Sequence, residues 1–312
     1  MELVQVQNLT KIYPDANSGE FRALDGISFS AKAGEVFGLL GPNGAGKTTA
    51  LRILATILRP TSGQARVFQF DVVHQSEYVR HSIGFVSNNT AIYDRMSAWE
   101  MVEYFGKLYS LEPQLLRDRM HLLFQQLQMN DFRDCPGAKM STGMKQKVSI
   151  ARALIHNPPV LIFDEASLGL DVLVARALQI IVKELRDQGK CIIYSTHIMR
   201  EVERLCDRVA IMNRGKIVDA GTLDELAQRH NQSDFEELFY QLLLVGNHPD
   251  RKQPSLSLEA FKQSDVEQQA QLPLGGVVNP NSARSVDRAT STKGSNKTEF
   301  QPCEDVLRER SP

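Results

Sequence analysis

The stretch GPNGAGKTT at residues 41–49 restricts the possible folds more than any other part of the sequence. It follows the apolar, strand-like segment EVFGLL and precedes TALRILATIL, in which apolar residues recur at helical spacing. The sequence therefore predicts a strand, a glycine-rich turn and a helix in direct succession. Glycine suits such a turn because it lacks a Cβ and tolerates positive φ, so a ligand can approach the backbone closely.

The spacing of this turn is that of a phosphate-binding loop, Gly-x4-Gly-Lys-Thr. Free N–H groups and a partial positive charge at the start of the helix attract phosphate. Lys47 is expected to reach the β- and γ-phosphates, and the Thr48 hydroxyl to coordinate Mg²⁺. A tight turn that merely contains a lysine is the alternative, which the flanking strand and helix disfavour. All of the loop is predicted to contact the nucleotide: Gly41, Pro42, Asn43, Gly44, Ala45, Gly46, Lys47, Thr48 and Thr49.

A pair of carboxylates closes another apolar strand, VLIFDE at 160–165. Asp164, at the carboxyl end of a buried strand beside a phosphate loop, can hold Mg²⁺ through water. Glu165 directly after it can polarise an attacking water. An acidic strand end that simply faces solvent is the other interpretation.

Two further signals are weaker when taken alone. Ser141 and Gly143 precede a basic amphipathic helix, where a hydroxyl and bare N–H groups suit an anion, or simply cap the helix. His197 ends the strand CIIYSTH. A histidine there is usually structural, but beside a nucleotide it could donate a hydrogen bond to the γ-phosphate.

Composition excludes some classes of protein. The chain has 312 residues, 42% of them apolar, and a net charge of −1, so there is no basic excess for a nucleic-acid backbone. No apolar run is long enough to cross a bilayer, and the N-terminal residues show no secretory pattern. The four cysteines lack metal-ligand spacing and are expected to be reduced thiols.

The periodicity along the chain predicts an α/β fold. Mostly strand-like segments precede the loop, helical patterns run from about 97 to 156, and short apolar strands are predicted at 64–70, 159–165 and 191–197. The last predicted helix begins near Ser233, which has Glu236 at capping-box spacing. Residues 246–312 are rich in polar residues without periodicity and are predicted to be a disordered tail after a folded domain at 2–245.

The ordered set of motifs resembles that of an ABC ATPase. The loop at 41–48, STGMKQK at 141–147, LIFDE, GLD and STH follow one another in the family's order and approximate spacing. The resemblance covers about residues 2–230 and is strongest for cassettes of the sodium-export and drug-export type. It implies a phosphate-loop NTPase core of ABC ATPase type, with an antiparallel β flank and an inserted helical subdomain at about 88–156.

The resemblance also implies roles for particular residues. Tyr13 matches the aromatic residue that stacks on adenine, although an edge-strand tyrosine is the alternative. Lys47, Thr48 and Asp164 match the ligands of phosphate and Mg²⁺, Glu165 the general base, and His197 the residue that senses the γ-phosphate. Ser141 and Gly143 match the residues that bind ATP held by the opposite subunit.

Because the loop and the Ser141 segment then serve different sites, a complete site requires two cassettes. The resemblance implies an ATP- and Mg²⁺-dependent hydrolase that forms a dimer, here expected to be a homodimer, and drives an exporter through separate integral-membrane permease subunits. The expected location is peripheral, on the cytoplasmic face of the cell membrane, with no nucleic-acid partner.

The chain departs from the family pattern most clearly at Asn88, where a glutamine is usual. That position is expected to lie near the nucleotide and Mg²⁺ and to affect coupling to the permease. It therefore raises the alternative of a weakly hydrolysing regulatory cassette, although Lys47, Asp164, Glu165 and His197 are all present. A soluble ABC ATPase acting on ribosomes or DNA is a further alternative, but those proteins usually carry two cassettes or a long coiled coil.

Removal of the predicted tail tests the domain boundary. Truncation after Gly246 is expected to leave the melting temperature and the basal ATPase rate nearly unchanged, because the tail composition offers little apolar surface to bury. Thermal unfolding and a phosphate-release assay on both proteins measure this. A melting temperature lowered by several degrees would show that the tail docks on the folded domain.

Overall fold

The structure is a computed structural model that describes residues 1–15, 19–87 and 91–245. Asn88 and the predicted tail at 246–312 lie outside the described residues. The elements in chain order are β1 Glu2–Asp15, β2 Gly19–Lys32, β3 Val36–Leu40, α1 Lys47–Leu54, β4 Ser62–Val67, β5 Phe70–Asp71, α2 Ser76–Ser82, β6 Ile83–Ser87, α3 Ala98–Leu108, α4 Pro113–Gln126, α5 Thr142–Leu154, β7 Val160–Asp164, α6 Val172–Asp187, β8 Cys191–Thr196, α7 Met199–Leu205, β9 Arg208–Asn213, β10 Lys216–Gly221, α8 Leu223–His230 and α9 Phe235–Val245.

A six-stranded sheet, in the order β10-β9-β3-β8-β7-β6, forms the centre of the fold. All its pairings are parallel except that of β9 with β10. Strands β3, β7 and β8 are buried along their whole length, which their apolar sequences permit and a sheet covered on both faces requires. Their carboxyl ends meet at one edge of the sheet, so the segments that follow them converge there.

A second, antiparallel sheet in the order β2-β1-β4-β5 forms the predicted β flank. The single strand predicted at 64–70 is wrong in one respect, because β4 ends at Val67. Phe68 adopts a left-handed backbone with φ of 62°, and the chain reverses so that Val67 pairs with Phe70 of β5. The left-handed angle at Phe68 accompanies the reversal, and the sequence does not predict it because no glycine or proline stands at the turn.

The inserted helices α3, α4 and α5 pack on one shared apolar cluster, as the helical pattern predicts. Met101, Leu116, Phe124 and Val148 are among its buried members. Ser97 and Glu100 form a capping box at the start of α3. Within the described ranges, no helix combines the length and the apolar character that a membrane span requires. The short helix α2 was not predicted from the sequence.

Helix α9 buries the apolar stripe that its spacing predicts, formed by Phe235, Leu238, Phe239 and Leu242. The capping box predicted from Ser233 and Glu236 is wrong. Asp234 instead accepts hydrogen bonds from the N–H groups of Glu236 and Glu237, at 2.9 and 3.2 Å. The helix begins one residue later than predicted, so the aspartate takes the capping position.

Candidate active site

The glycine-rich loop lies between the end of β3 and the start of α1, and two of its glycines are required by space. A Cβ on Gly41 would lie 2.4 Å from the carbonyl oxygen of Met212 in β9. A Cβ on Gly46 would lie 2.6 Å from the carbonyl oxygen of Ala23 in β2, and Gly46 has a φ of 105°. The loop is therefore held between the two sheets, and its N–H groups at the start of α1 have no side-chain cap within the described residues.

Lys47 is buried and points into the curve of this loop. Its Nζ donates hydrogen bonds to the carbonyl oxygens of Gly41 at 2.7 Å and Pro42 at 3.1 Å. The same nitrogen lies 3.3 Å from Glu165 Oε1. A buried ammonium must be paired and hydrogen-bonded, and these three oxygens meet that requirement. The arrangement is suited to phosphate oxygens, which are also acceptors and carry charge.

Thr48 and Asp164 meet across the sheet edge, as the two motifs predict. Thr48 Oγ1 donates to Asp164 Oδ1 at 3.0 Å, and Ser195 Oγ donates to the same oxygen at 2.8 Å. A hydroxyl beside a carboxylate provides hard oxygen ligands of the kind that Mg²⁺ takes, together with water and substrate phosphates. No group of three or more His, Cys, Asp or Glu side chains is placed to bind a metal in the described part of the chain. The residues therefore fit an ion that is held partly by substrate.

Glu165 has a strained backbone and a shared carboxylate. Its φ is 48°, in the left-handed region that glycine favours. Its N–H donates to the carbonyl oxygen and the hydroxyl of Ser195, at 3.2 and 3.1 Å. Oε1 lies 3.3 Å from Lys47 Nζ and 3.5 Å from His197 Nδ1. Such strain persists only where the surroundings impose it, and it is found most often at functional sites.

His197 presents a buried nitrogen towards this group. Nδ1 has no hydrogen-bond partner among the described residues, since its separation of 3.5 Å from Glu165 comes without hydrogen-bond geometry. A buried polar nitrogen that lacks a partner costs free energy, on the order of 1–3 kcal/mol. An oxygen atom of a ligand bound at this edge would satisfy it.

Ser141 and Gly143 lie at the start of α5. Ser141 caps the helix, accepting a hydrogen bond from the N–H of Met144 at 3.3 Å, which confirms the capping interpretation. A Cβ on Gly143 would lie 2.9 Å from a methyl group of Val174 in α6, so this glycine also serves packing. In the described part of the chain, no hydrogen bond of Ser141 reaches the phosphate loop.

Tyr13 lies on β1, opposite Phe21 of β2. The ammonium of Lys11 lies 5.0 Å from the centre of the tyrosine ring. Lys11 pairs with Leu24, whose side chain borders Gly46. Tyr13 is therefore on the sheet that contacts the phosphate loop, two residues along the strand from that contact.

Two polar side chains at this edge were missed by sequence reasoning. Ser195 binds both Asp164 and the N–H of Glu165, and the buried Gln146 of α5 donates to the carbonyl oxygen of Ala166 at 3.1 Å. Ser195 does stand inside the STH motif, but its contacts depend on the pairing of β7 with β8. That pairing places Asp164 directly opposite Ser195.

The sequence is similar to those of known ATP-binding proteins. A family profile described as ABC transporter matches residues 24–168. The ABC transporter ATP-binding protein NatA of Bacillus subtilis is 38% identical over 226 residues, which span 72% of this chain and 92% of NatA. The chain belongs to the ABC transporter ATP-binding protein family.

Further members of this family agree with that assignment. The linearmycin resistance ATP-binding protein LnrL of Bacillus subtilis is 34% identical over 227 residues, covering 73% of this chain and 71% of LnrL. A solved ATP-binding subunit of an ABC transporter superposes with a TM-score of 0.70 at 28% identity, covering 77% of this chain and 99% of that one. The predicted fold class and the resemblance to sodium-export and drug-export cassettes are confirmed, and the chain is a nucleotide-binding cassette.

The left-handed backbone at Glu165 leads to a stability prediction. Glu165→Gly is expected to be about 1 kcal/mol more stable than Glu165→Ala, because alanine keeps the strain at a φ of 48° and glycine does not. Urea denaturation of the two variants measures the difference. The same pair at Lys183, exposed in α6, is the control, and there alanine is expected to be more stable by about 1 kcal/mol. The same order at both positions would contradict the prediction.

Proposed function

We propose that this cassette binds ATP with Mg²⁺, hydrolyses it, and drives export through separate permease subunits. The observation that carries the proposal is the position of the Glu165 carboxylate, 3.3 Å from Lys47 and 3.5 Å from His197 at the edge where the phosphate loop begins its helix. A general base, a phosphate-binding cation and a hydrogen-bond donor are thereby grouped around one point.

Each group has a role that its geometry supports. Lys47 and the loop N–H groups bind the β- and γ-phosphates, and Thr48 with Asp164 would hold Mg²⁺. The ion, when bound, neutralises charge on the phosphate oxygens. Glu165 accepts the proton of the attacking water, and His197 Nδ1 donates a hydrogen bond to the γ-phosphate.

Binding of ATP requires an exchange at Lys47. In the structure its ammonium is shared between two loop carbonyls and Glu165. Phosphate oxygens compete for the same nitrogen, and because they carry more charge they replace Glu165. The carboxylate oxygen released from the ammonium is then free to take a hydrogen bond from the attacking water. The availability of Glu165 to the water is thereby linked to the presence of the γ-phosphate.

A second copy of the cassette would complete each site. Asp171 caps the start of α6 through the N–H groups of Leu173 and Val174. Beside it, the side chains of Val172 and Leu173 are 84% and 81% exposed. Adjacent exposed apolar side chains indicate a surface that a partner covers. We propose that this surface, together with Ser141 and Gly143, faces the phosphate loop of a second cassette in a homodimer.

A different surface is proposed to receive the permease. Tyr93 and Tyr104 are 49% and 43% exposed and pack edge to face, with ring centres 6.4 Å apart. Leu108 on the same helix α3 is 58% exposed. We call these three residues the α3 surface. The similarity to NatA, an ABC transporter protein, and to LnrL, a linearmycin resistance protein, supports an export role. The cassette would then lie on the cytoplasmic face of the cell membrane.

Removal of the proposed general base tests hydrolysis. Glu165→Gln is expected to keep ATP binding and lose at least about 100-fold in turnover, because the amide retains the shape but cannot accept the proton. The variant is expected to accumulate as an ATP-bound dimer on size-exclusion chromatography. Lys47→Ala is the companion variant and is expected to weaken nucleotide binding itself. Near-normal turnover in Glu165→Gln would refute the assignment.

Affinity purification of the full chain from detergent-solubilised cells tests whether the α3 surface binds a permease. The wild type is expected to bring down an integral-membrane protein with several spans, and Tyr104→Asp to lose it, because the charge must be desolvated in the contact. Tyr240→Asp changes a tyrosine of similar exposure, 50%, on α9 and serves as the control. Recovery of ribosomes or DNA instead would favour the class of soluble ABC ATPases.

A further inference from the structure

Glu201 is a buried carboxylate whose position the proposed mechanism does not explain. It lies on α7, four residues after His197, and is 5% exposed. In the described ranges it forms no ion pair with a lysine, arginine or histidine. A buried charge without a cation is costly unless hydrogen bonds stabilise it, so such a residue calls for a reason in the structure.

The carboxylate is held by a threonine that precedes His197. Thr196 Oγ1 donates to Glu201 Oε2 at 2.6 Å, a short bond of the charge-assisted kind. The same Thr196 oxygen accepts a hydrogen bond from the N–H of Ile198 at 3.0 Å. One hydroxyl therefore connects the residues on both sides of His197, and Glu201 orients that hydroxyl by accepting its hydrogen bond.

Tyr194 joins the same carboxylate to a second segment. Its hydroxyl donates to Glu201 Oε2 at 3.5 Å and lies beside the side chain of Ser167, two residues after Glu165. Burial raises the pKa of Tyr194, so the hydroxyl keeps its proton and remains a donor. Ser167, Tyr194, Thr196 and Glu201 are all buried. We call these four residues the buried network.

We propose that Glu201 is a positioning residue for His197, acting through the Thr196 hydroxyl, and that Tyr194 keeps the His197 segment aligned with the segment that carries Glu165. The inference rests on the proposed function, because it gives Glu201 no task apart from His197 and Glu165. In this proposal the buried network controls the distance between His197 Nδ1 and Glu165 Oε1, which is 3.5 Å in the structure.

The expected kinetic effect is on turnover rather than on binding. A displacement of about 1 Å at a reacting group can cost on the order of 100-fold in rate. The phosphate loop lies between β3 and α1, and the hydrogen bonds that join Lys47 to Gly41 and Pro42 do not involve the buried network. Thr196→Val and Glu201→Ala are therefore expected to lower kcat at least about 10-fold while the KM for ATP changes less than about 3-fold.

The matched controls keep the hydrogen bonds. Thr196→Ser retains the hydroxyl and Glu201→Gln retains an acceptor of the same shape, so both are expected to keep kcat within about 3-fold of the wild type. Melting temperatures are measured for every variant. Should Glu201→Ala fail to fold, Thr196→Val preserves the side-chain shape and decides the question. Tyr194→Phe is a further variant that removes the hydroxyl between Glu201 and Ser167 and leaves the Thr196–Glu201 hydrogen bond in place.

A double-mutant cycle separates positioning from general stability. Single-turnover ATP hydrolysis by the full chain is measured for Thr196→Val, His197→Ala and the double variant. If the network acts through His197, Thr196→Val is expected to cause no further loss in the His197→Ala background. Multiplicative losses, or a single Thr196→Val variant with wild-type kcat, would overturn the inference.

The same cycle distinguishes the two proposals. Loss of activity in His197→Ala with multiplicative losses in the double variant refutes the role of Glu201 and leaves the proposed function intact. Wild-type activity in His197→Ala refutes both the role of His197 and the inference that depends on it.

Discussion

The site depends on the parallel pairing of β3, β8 and β7. This pairing places Leu40 opposite Thr196 and Asp164 opposite Ser195. Because the strands run in the same direction, the phosphate loop, the carboxylates and the histidine all leave the sheet at one edge. A shift of β7 or β8 by one residue would turn every side chain to the opposite face and separate Asp164 from Thr48. The apolar cores on both faces of the sheet hold this register.

The buried polar side chains are concentrated at the edge of the sheet that carries the site, rather than spread through the fold. Of the buried polar side chains in the described ranges, most belong to the site or to its support: Lys47, Gln146, Asp164, Ser167, Ser195, Thr196 and Glu201. All of these except Ser167 form side-chain hydrogen bonds in the structure, as buried polar groups require. Their placement costs stability that apolar residues of similar size would supply, which is the usual expense of a preorganised site.

A strained backbone and a buried nitrogen without a hydrogen-bond partner lie next to each other in the site. Glu165 has a left-handed backbone, and Nδ1 of His197 has no hydrogen-bond partner among the described residues. The Glu165 carboxylate joins them to Lys47, since Oε1 lies 3.5 Å from His197 Nδ1 and 3.3 Å from the Lys47 ammonium. Under the proposed function a triphosphate satisfies the histidine and takes the ammonium from the glutamate. The free energy of binding can then be used to arrange the reacting groups.

Local chemistry explains what the sequence alone determined: the phosphate loop, the apolar strands, the acidic strand end and the helical insertion each depend on neighbours within one short segment. Non-local contacts decided the rest. The bonds of Ser195 to Asp164, and the link from Glu201 through Tyr194 to Ser167, depend on strand register and on where α7 lies against β8. A single backbone angle accompanies the reversal at Phe68, and the hydrogen bonds of the Asp234 side chain mark the start of α9. Such features follow from the balance of packing over the whole chain, which no short segment contains.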